Sequence, residues 1–187
     1  DYTQSLLFKK LTEMVAKTRS FPIGAQDFYT TKPYHRGYWT GAFDMFHYGH
    51  LQSIQKALKY CDQLIVGVST DDVIRDYKHR EPIIPFEQRL AIVSAIKGVS
   101  IAIPQYDLYD KMGPAEELGC DVIFSCDEYL RSEYEGKEMT EKQLAGVERW
   151  ETFEAQAKEG GIDVIYLPRT GEISSTDIKM KIIEQYK

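Results

Sequence analysis

The chain has 187 residues, 43% of them hydrophobic and 28% charged, enough for one globular domain with a real core and an appendage. A formal net charge of -6 argues against long nucleic acid or an anionic membrane as the main partner, though a local cluster of cations could still hold a small phosphorylated ligand. Cys61, Cys120 and Cys126 are odd in number and widely spaced, which excludes a disulfide framework or zinc knuckle and suits the cytoplasm; no apolar run approaches the ~18 residues of a membrane span.

The first residue is Asp1 rather than methionine, as in a processed or trimmed product. Residues 1–36 read as an arm. "SLLFKKLTEMVAKT" sets Leu6, Leu7, Leu11 and Val15 on one side and predicts a helix, while "FPIGAQDFYTTKPYHRG" shows no period. This arm is expected to pack on the domain or on a second subunit. Residues 37–187 alternate strand-length apolar runs with helical patterns. Strands are predicted at 37–43, 63–69, 99–104, 121–124 and 163–168. Leu51, Ile54 and Leu58 repeat at helical spacing, as do Phe86, Leu90, Val93 and Ile96; a further helix is predicted from about Met139 to the glycine pair at Gly160, and a last one over "STDIKMKIIEQYK". Such alternation gives parallel βαβ units, with helices on both faces of one sheet and ligands at the carboxyl ends of the strands.

"GAFDMFHYGH", Gly41 to His50, lies at such an end. Gly49 admits close approach of a ligand or backbone, and the free N–H groups of the following helix favour an anion. His47 and His50 could both face that anion as donors to a phosphoryl group. The pair alone fits two satisfied histidines without a chemical role just as well. Zinc is disfavoured, because no further His or Cys pair at ligand spacing lies nearby.

"PRTGEISSTDIK", Pro168 to Lys179, also follows a strand and opens a helix. Ser174 and Asp177 have capping-box spacing, which accounts for Ser174 alone. Ser175, Thr176, Arg169 and Thr170 remain, and together they form a second phosphate cradle. "YKHREPIIPFEQR", Tyr77 to Arg89, puts Lys78 and Arg80 in a loop between helices; His79 and Arg80 read as merely solvated.

Taken together, "GAFDMFHYGH", "GVSTDD", "YK…PIIPFEQR" and "PRTGEISSTDIK" resemble the cytidylyltransferases, and within them the glycerol-3-phosphate cytidylyltransferases most. The likeness covers roughly residues 38–183 and leaves residues 1–36 uncovered. It implies a Rossmann-like, doubly wound α/β domain of five parallel strands, often a homodimer. It also implies transfer of a cytidylyl group from CTP to a small phosphate ester, usually with Mg2+. By motif, His47, His50, Lys78 and Arg89 are the expected catalytic group, with Lys78, Arg89 and Trp150 on the acceptor side. Thr40, Gly41, Ala42, Phe43, His47, His50, Asp127, Tyr129, Arg169, Thr170, Ile173, Ser174, Ser175 and Thr176 are expected around the nucleotide. Asp44 is expected to organise the turn rather than act as a base, since the attacking phosphate is already an anion.

The chain also departs from that pattern. Gly171-Glu172 reverses the usual Glu-Gly order, "SCDEY" stands where a G-D-D-W-like segment is usual, and "RSEYEGKEMTEKQLA" reads as an insertion, either a lid or a surface elaboration. The acceptor could equally be phosphoethanolamine, phosphocholine or another polyol phosphate, and the nucleotide could be ATP. An adenylate-forming ligase is disfavoured because "KMK" at Lys179 to Lys181 is a poor match to a KMSKS loop. A non-catalytic nucleotide-binding module is disfavoured by the full set of histidines, lysine and hydroxyls.

Overall fold

The computed structural model describes residues 32–169 and 173–186; the expected N-terminal helix lies outside them. All the apolar runs form strands: β1 (Tyr34–Gly41), β2 (Cys61–Ser69), β3 (Val99–Gln105), β4 (Val122–Cys126) and β5 (Asp163–Leu167). They pair in parallel in the order β3-β2-β1-β4-β5, giving the doubly wound α/β sheet expected. β1 starts at Tyr34, earlier than predicted, and stops at Gly41 because Phe43 takes a left-handed backbone with φ 52°.

Among the described residues, six helices connect and cover the strands: α1 (Tyr48–Ala57), α2 (Asp71–Lys78), α3 (Phe86–Ser94), α4 (Met112–Glu117), α5 (Glu141–Glu159) and α6 (Ser175–Gln185). Successive strand residues serve opposite faces, as the pleat requires. Tyr38, Ile65 and Ile123 join Trp150 and Phe153 of α5 in one core, whereas Trp39, Val66 and Phe124 join Ile54 of α1 and Val93 of α3 in the other. A sheet buried on both faces needs continuous apolar strands, and "LIVGV" and "VIF" supply them.

Two short 3-10 turns, Asp127–Tyr129 and Arg131–Tyr134, precede α5. Thr140 caps α5 and forms a capping box with Gln143. Arg131 ties the inserted stretch to α5 through Glu151 at 2.7 Å, and no residue from 131 to 145 is among those lining the two cavities at the strand ends. No described helix is long and apolar enough to cross a membrane. Sheet order reverses at β1: β2 lies on one side and β4 on the other. The crevice between their carboxyl ends is where ligands enter sheets of this kind.

Candidate active site

The turn from β1 to α1 is built around Asp44. Its Oδ1 accepts the amides of Ile83 and Ile84, both at 3.0 Å, and its backbone oxygen accepts the Ser175 hydroxyl at 2.8 Å. Lys179 lies 3.4 Å from Oδ2. Burial alone would raise this carboxyl's pKa, but the Ile84 and Ile83 amides and Lys179 outweigh it and hold the group below its usual value. Asp44 therefore stitches the turn to the loop before α3 and to α6, as a turn organiser should.

His47 is the N-cap of α1, and the helix start is a capping box made of imidazoles. His47 Nδ1 accepts the Gly49 amide at 3.1 Å, and His50 Nδ1 accepts the His47 amide at 3.3 Å. This corrects the expectation of a free amide cradle: two of those amides are already engaged by the histidines. The arrangement sets each tautomer, since an Nδ1 that accepts leaves the ring proton on Nε2. The rings stack with centroids 3.8 Å apart, and the buried Phe43 meets His50 edge-on at 5.4 Å. Burial, then His47 and Lys78, push the His50 pKa down to about 3; burial and then Arg169 lower that of His47. Two neutral Nε2–H donors result. Gly49 is required here, because a Cβ would come within 3.0 Å of the His47 ring and 3.1 Å of the Ile173 carbonyl oxygen.

These rings open on a cavity of about 290 Å³. Across it stand Arg169, Ile173 and the three hydroxyl residues Ser174, Ser175 and Thr176. Ser174 caps α6 by accepting the Asp177 amide at 3.1 Å, so the start of α6 faces the same space. Arg169 pairs with Glu128 at 3.0 Å. That pair is exposed and worth at most ~1 kcal/mol, so an incoming phosphate could take the guanidinium over. Thr170, Gly171 and Glu172 lie outside the described residues.

A second cavity, of about 150 Å³, lies on the other side of the β1 end and is lined by Thr40, Gly41, Ala42, Tyr129 and Trp150. Lys78, at the end of α2, lines both cavities. Its pKa is lowered by burial and then by Arg80. One lysine therefore borders both spaces.

Comparison with known proteins places this geometry. Residues 38–181 match the cytidylyltransferase-like family. The chain belongs to that family. It is 29% identical over 142 residues to the glycerol-3-phosphate cytidylyltransferase of Staphylococcus aureus, a match covering 76% of this chain and 90% of that protein. It is 41% identical over 95 residues to an FAD synthase of Methanospirillum hungatei, covering 50% of this chain and 59% of that protein. Among solved structures, the lipopolysaccharide core biosynthesis protein of Thermoplasma volcanium is similar, with a TM-score of 0.52 and 26% identity over 73% of this chain and 97% of that one.

Several family-derived positions sit elsewhere than expected. Arg89 is 0% exposed and reaches neither cavity. Its guanidinium donates to Ile84 O (2.9 Å), Ala42 O (2.5 Å) and Ser69 O (2.7 Å), and to Asp71 (2.6 Å). It braces three segments beneath the site rather than holding an acceptor. Phe43 is buried and supports His50. Asp127 accepts the Arg169 amide at 3.0 Å, tying the ends of β4 and β5 together. Tyr129 stacks on Trp150 with centroids 5.8 Å apart, in the second cavity rather than against the histidine side.

Three cations without an expected site role also line these spaces. Arg80, read as merely solvated, borders the histidine cavity. Lys111 and Arg149 border the second one. Arg149 adjoins Trp150, which the resemblance put on the acceptor side, so its position was signalled. Lys111 stands alone in "YDKMG" with no pattern to mark it.

Proposed function

We propose that the protein transfers a cytidylyl group from CTP to a small phosphorylated alcohol, releasing pyrophosphate and a CDP-alcohol, with glycerol 3-phosphate the first candidate by likeness. The observation that carries this reading is the single cation, Lys78, lining both cavities. A triphosphate in the histidine cavity and an acceptor phosphate in the Trp150 cavity would meet at that ammonium group.

The chemistry asks little covalent work of the chain. An oxygen of the acceptor phosphate forms the new bond to the α-phosphorus as the bond to the β-phosphate bridging oxygen breaks, and pyrophosphate leaves with the electron pair. No proton has to be removed from the nucleophile, so the chain's contribution is positioning and charge stabilisation. Lys78 lowers the repulsion between the two phosphates. The Nε2–H groups of His47 and His50 donate to oxygens that gain charge in the pentacoordinate state. Arg169, Arg80, the Thr176 hydroxyl and the N–H groups at the start of α6 hold the β- and γ-phosphates. Mg2+ belongs to this proposal as a companion of the triphosphate. Among the described residues no group of three or more His, Cys, Asp or Glu could hold a metal, so phosphate oxygens and water would supply most of its ligands.

A second reading, adenylyl transfer to a flavin phosphate, draws on the FAD synthase likeness. One screen separates the two. Purified protein is given CTP or ATP with glycerol 3-phosphate, ribitol 5-phosphate, phosphoethanolamine, phosphocholine or FMN, and pyrophosphate is measured. Release is expected with CTP and a phosphorylated alcohol, and none with nucleotide alone. Release only with ATP and FMN would replace the first reading by the second; silence in every pair would end both. A homodimer is part of the proposal, to be checked by sedimentation.

A further inference from the structure

The second cavity has an unusual wall. Three cations, Lys78, Lys111 and Arg149, line it, and no aspartate or glutamate does. Lys111 is 4% exposed, and among the described residues it forms no ion pair. Its ammonium donates to Thr40 Oγ1 at 2.7 Å and otherwise faces the rings of Trp150 at 5.4 Å and Phe153 at 5.8 Å. Burial, then Arg149, lower its pKa to about 7, with Asp107 opposing. A lysine buried without a carboxylate lowers the stability of the resting protein until an anion arrives to pair with it.

Two further donors at the same wall lack partners. Arg149 Nε and Gln105 Nε2 are buried without a hydrogen bond, although the Gln105 carbonyl oxygen accepts Ser69 Oγ at 2.8 Å. Orphaned buried donors are rare, and each is costly unless a ligand completes it. Both orphaned atoms on this wall are thus donors, and each formally charged residue that lines it is a cation. Aromatic rings are present too, in Tyr77, Tyr129 and Trp150, but Arg149 already lies over Tyr77 at 5.3 Å and Lys111 over Trp150. Tyr77 and Trp150 are thus taken by cations of the protein and Tyr129 stacks on Trp150, so the three do not form an open cage for a cation of the ligand.

Resting on the transferase reading above, we propose that Lys111, Arg149 and Gln105 form a tail-recognition site for an acceptor that presents only oxygen, as hydroxyls or carboxylate, beyond its phosphate. An ammonium tail would be repelled by the buried Lys111 and the half-buried Arg149, and would leave both orphaned donors unpaired. Polyol and hydroxy-acid phosphates are therefore accepted, and phosphoethanolamine and phosphocholine refused. This narrows the acceptor class from the chain's own residues.

The test measures equilibrium binding first and turnover second. Titration calorimetry of the full chain with glycerol 3-phosphate, 3-phosphoglycerate, phosphoethanolamine and phosphocholine is expected to show the two oxygen-tailed esters bound at least about tenfold more tightly than the two amines. In K111M the oxygen-tailed esters should weaken at least about tenfold, with CTP affinity unchanged and the melting temperature not lowered, because an unpaired buried ammonium has been replaced by an apolar side chain of similar length. R149Q, the second variant, should reduce the same discrimination. Amines bound as tightly as the polyol ester would overturn the proposal, as would K111M or R149Q that keeps full discrimination. Should the binding preference hold while no nucleotide yields pyrophosphate, the tail site stands and the transferase reading falls.

Discussion

Replacing His47 with asparagine is expected to leave the protein folded and to reduce turnover by ~10²–10³, the usual loss when one preorganised donor is removed from a developing oxyanion. The asparagine side-chain oxygen can still accept the Gly49 amide that His47 Nδ1 accepts at 3.1 Å, so the α1 cap survives. What disappears is the Nε2–H facing the cavity. His47→Ala should lose both, adding about 1 kcal/mol of destabilisation to the same kinetic loss. Urea denaturation beside steady-state kinetics separates the two effects. An asparagine variant within about threefold of the parent kcat would mean that the ring is only a cap.

Acid should reveal the same residues. Folded His50 takes up its proton only near pH 3, and His47 also titrates below its ordinary value, whereas in the unfolded chain both do so near 6.5. Between those limits the unfolded chain binds more protons, so stability is full above about pH 6.5 and falls as the pH falls through this window. A bound triphosphate favours the charged imidazoles and should flatten the slope.

Arg89→Ala is expected to be the most destabilising single change in the domain, by ~3–5 kcal/mol. The side chain is wholly buried and engages three carbonyl oxygens and one carboxylate. Its loss leaves all four without their donor, and Asp71 keeps a charge whose partner has gone. Arg89→Lys should recover only part of this, because an ammonium group cannot reproduce the planar fork that spans Ile84, Ala42, Ser69 and Asp71. The check is equilibrium unfolding, with the KM for the acceptor in whatever fraction stays folded. A variant of undiminished stability whose acceptor KM alone has risen would return Arg89 to the binding role that the resemblance implied.

That correction shows where sequence reading stops. Strand positions were legible because a sheet covered on both faces needs unbroken apolar runs, and five such runs stood in the chain. The two helix starts, at His47 and Ser174, were legible because each follows a strand and carries groups suited to anions. Solvent exposure was not legible. Arg89 and Lys78 both read as cations near a loop, yet one braces the floor through backbone carbonyls and the other opens on both cavities. The carbonyl partners that decide this for Arg89, on Ala42 and Ser69, lie in separate stretches. Lys111 was invisible for a related reason: its meaning comes from Trp150 and Arg149, which reach it only when α5 folds across the sheet. Tyr129 was expected by motif around the nucleotide, but stacking on Trp150 draws it into the second cavity.

Phe43 and Met45 each hold φ 52° on either side of Asp44. For side chains other than glycine, left-handed backbone costs roughly 1–2 kcal/mol per residue. The loop that presents the imidazoles is thus shaped before any ligand arrives, and the resting protein carries that burden through its whole lifetime. A laboratory lineage selected for heat resistance alone would be expected to settle glycine or asparagine at Met45, the less buried of the pair. One selected for speed would have no reason to change it.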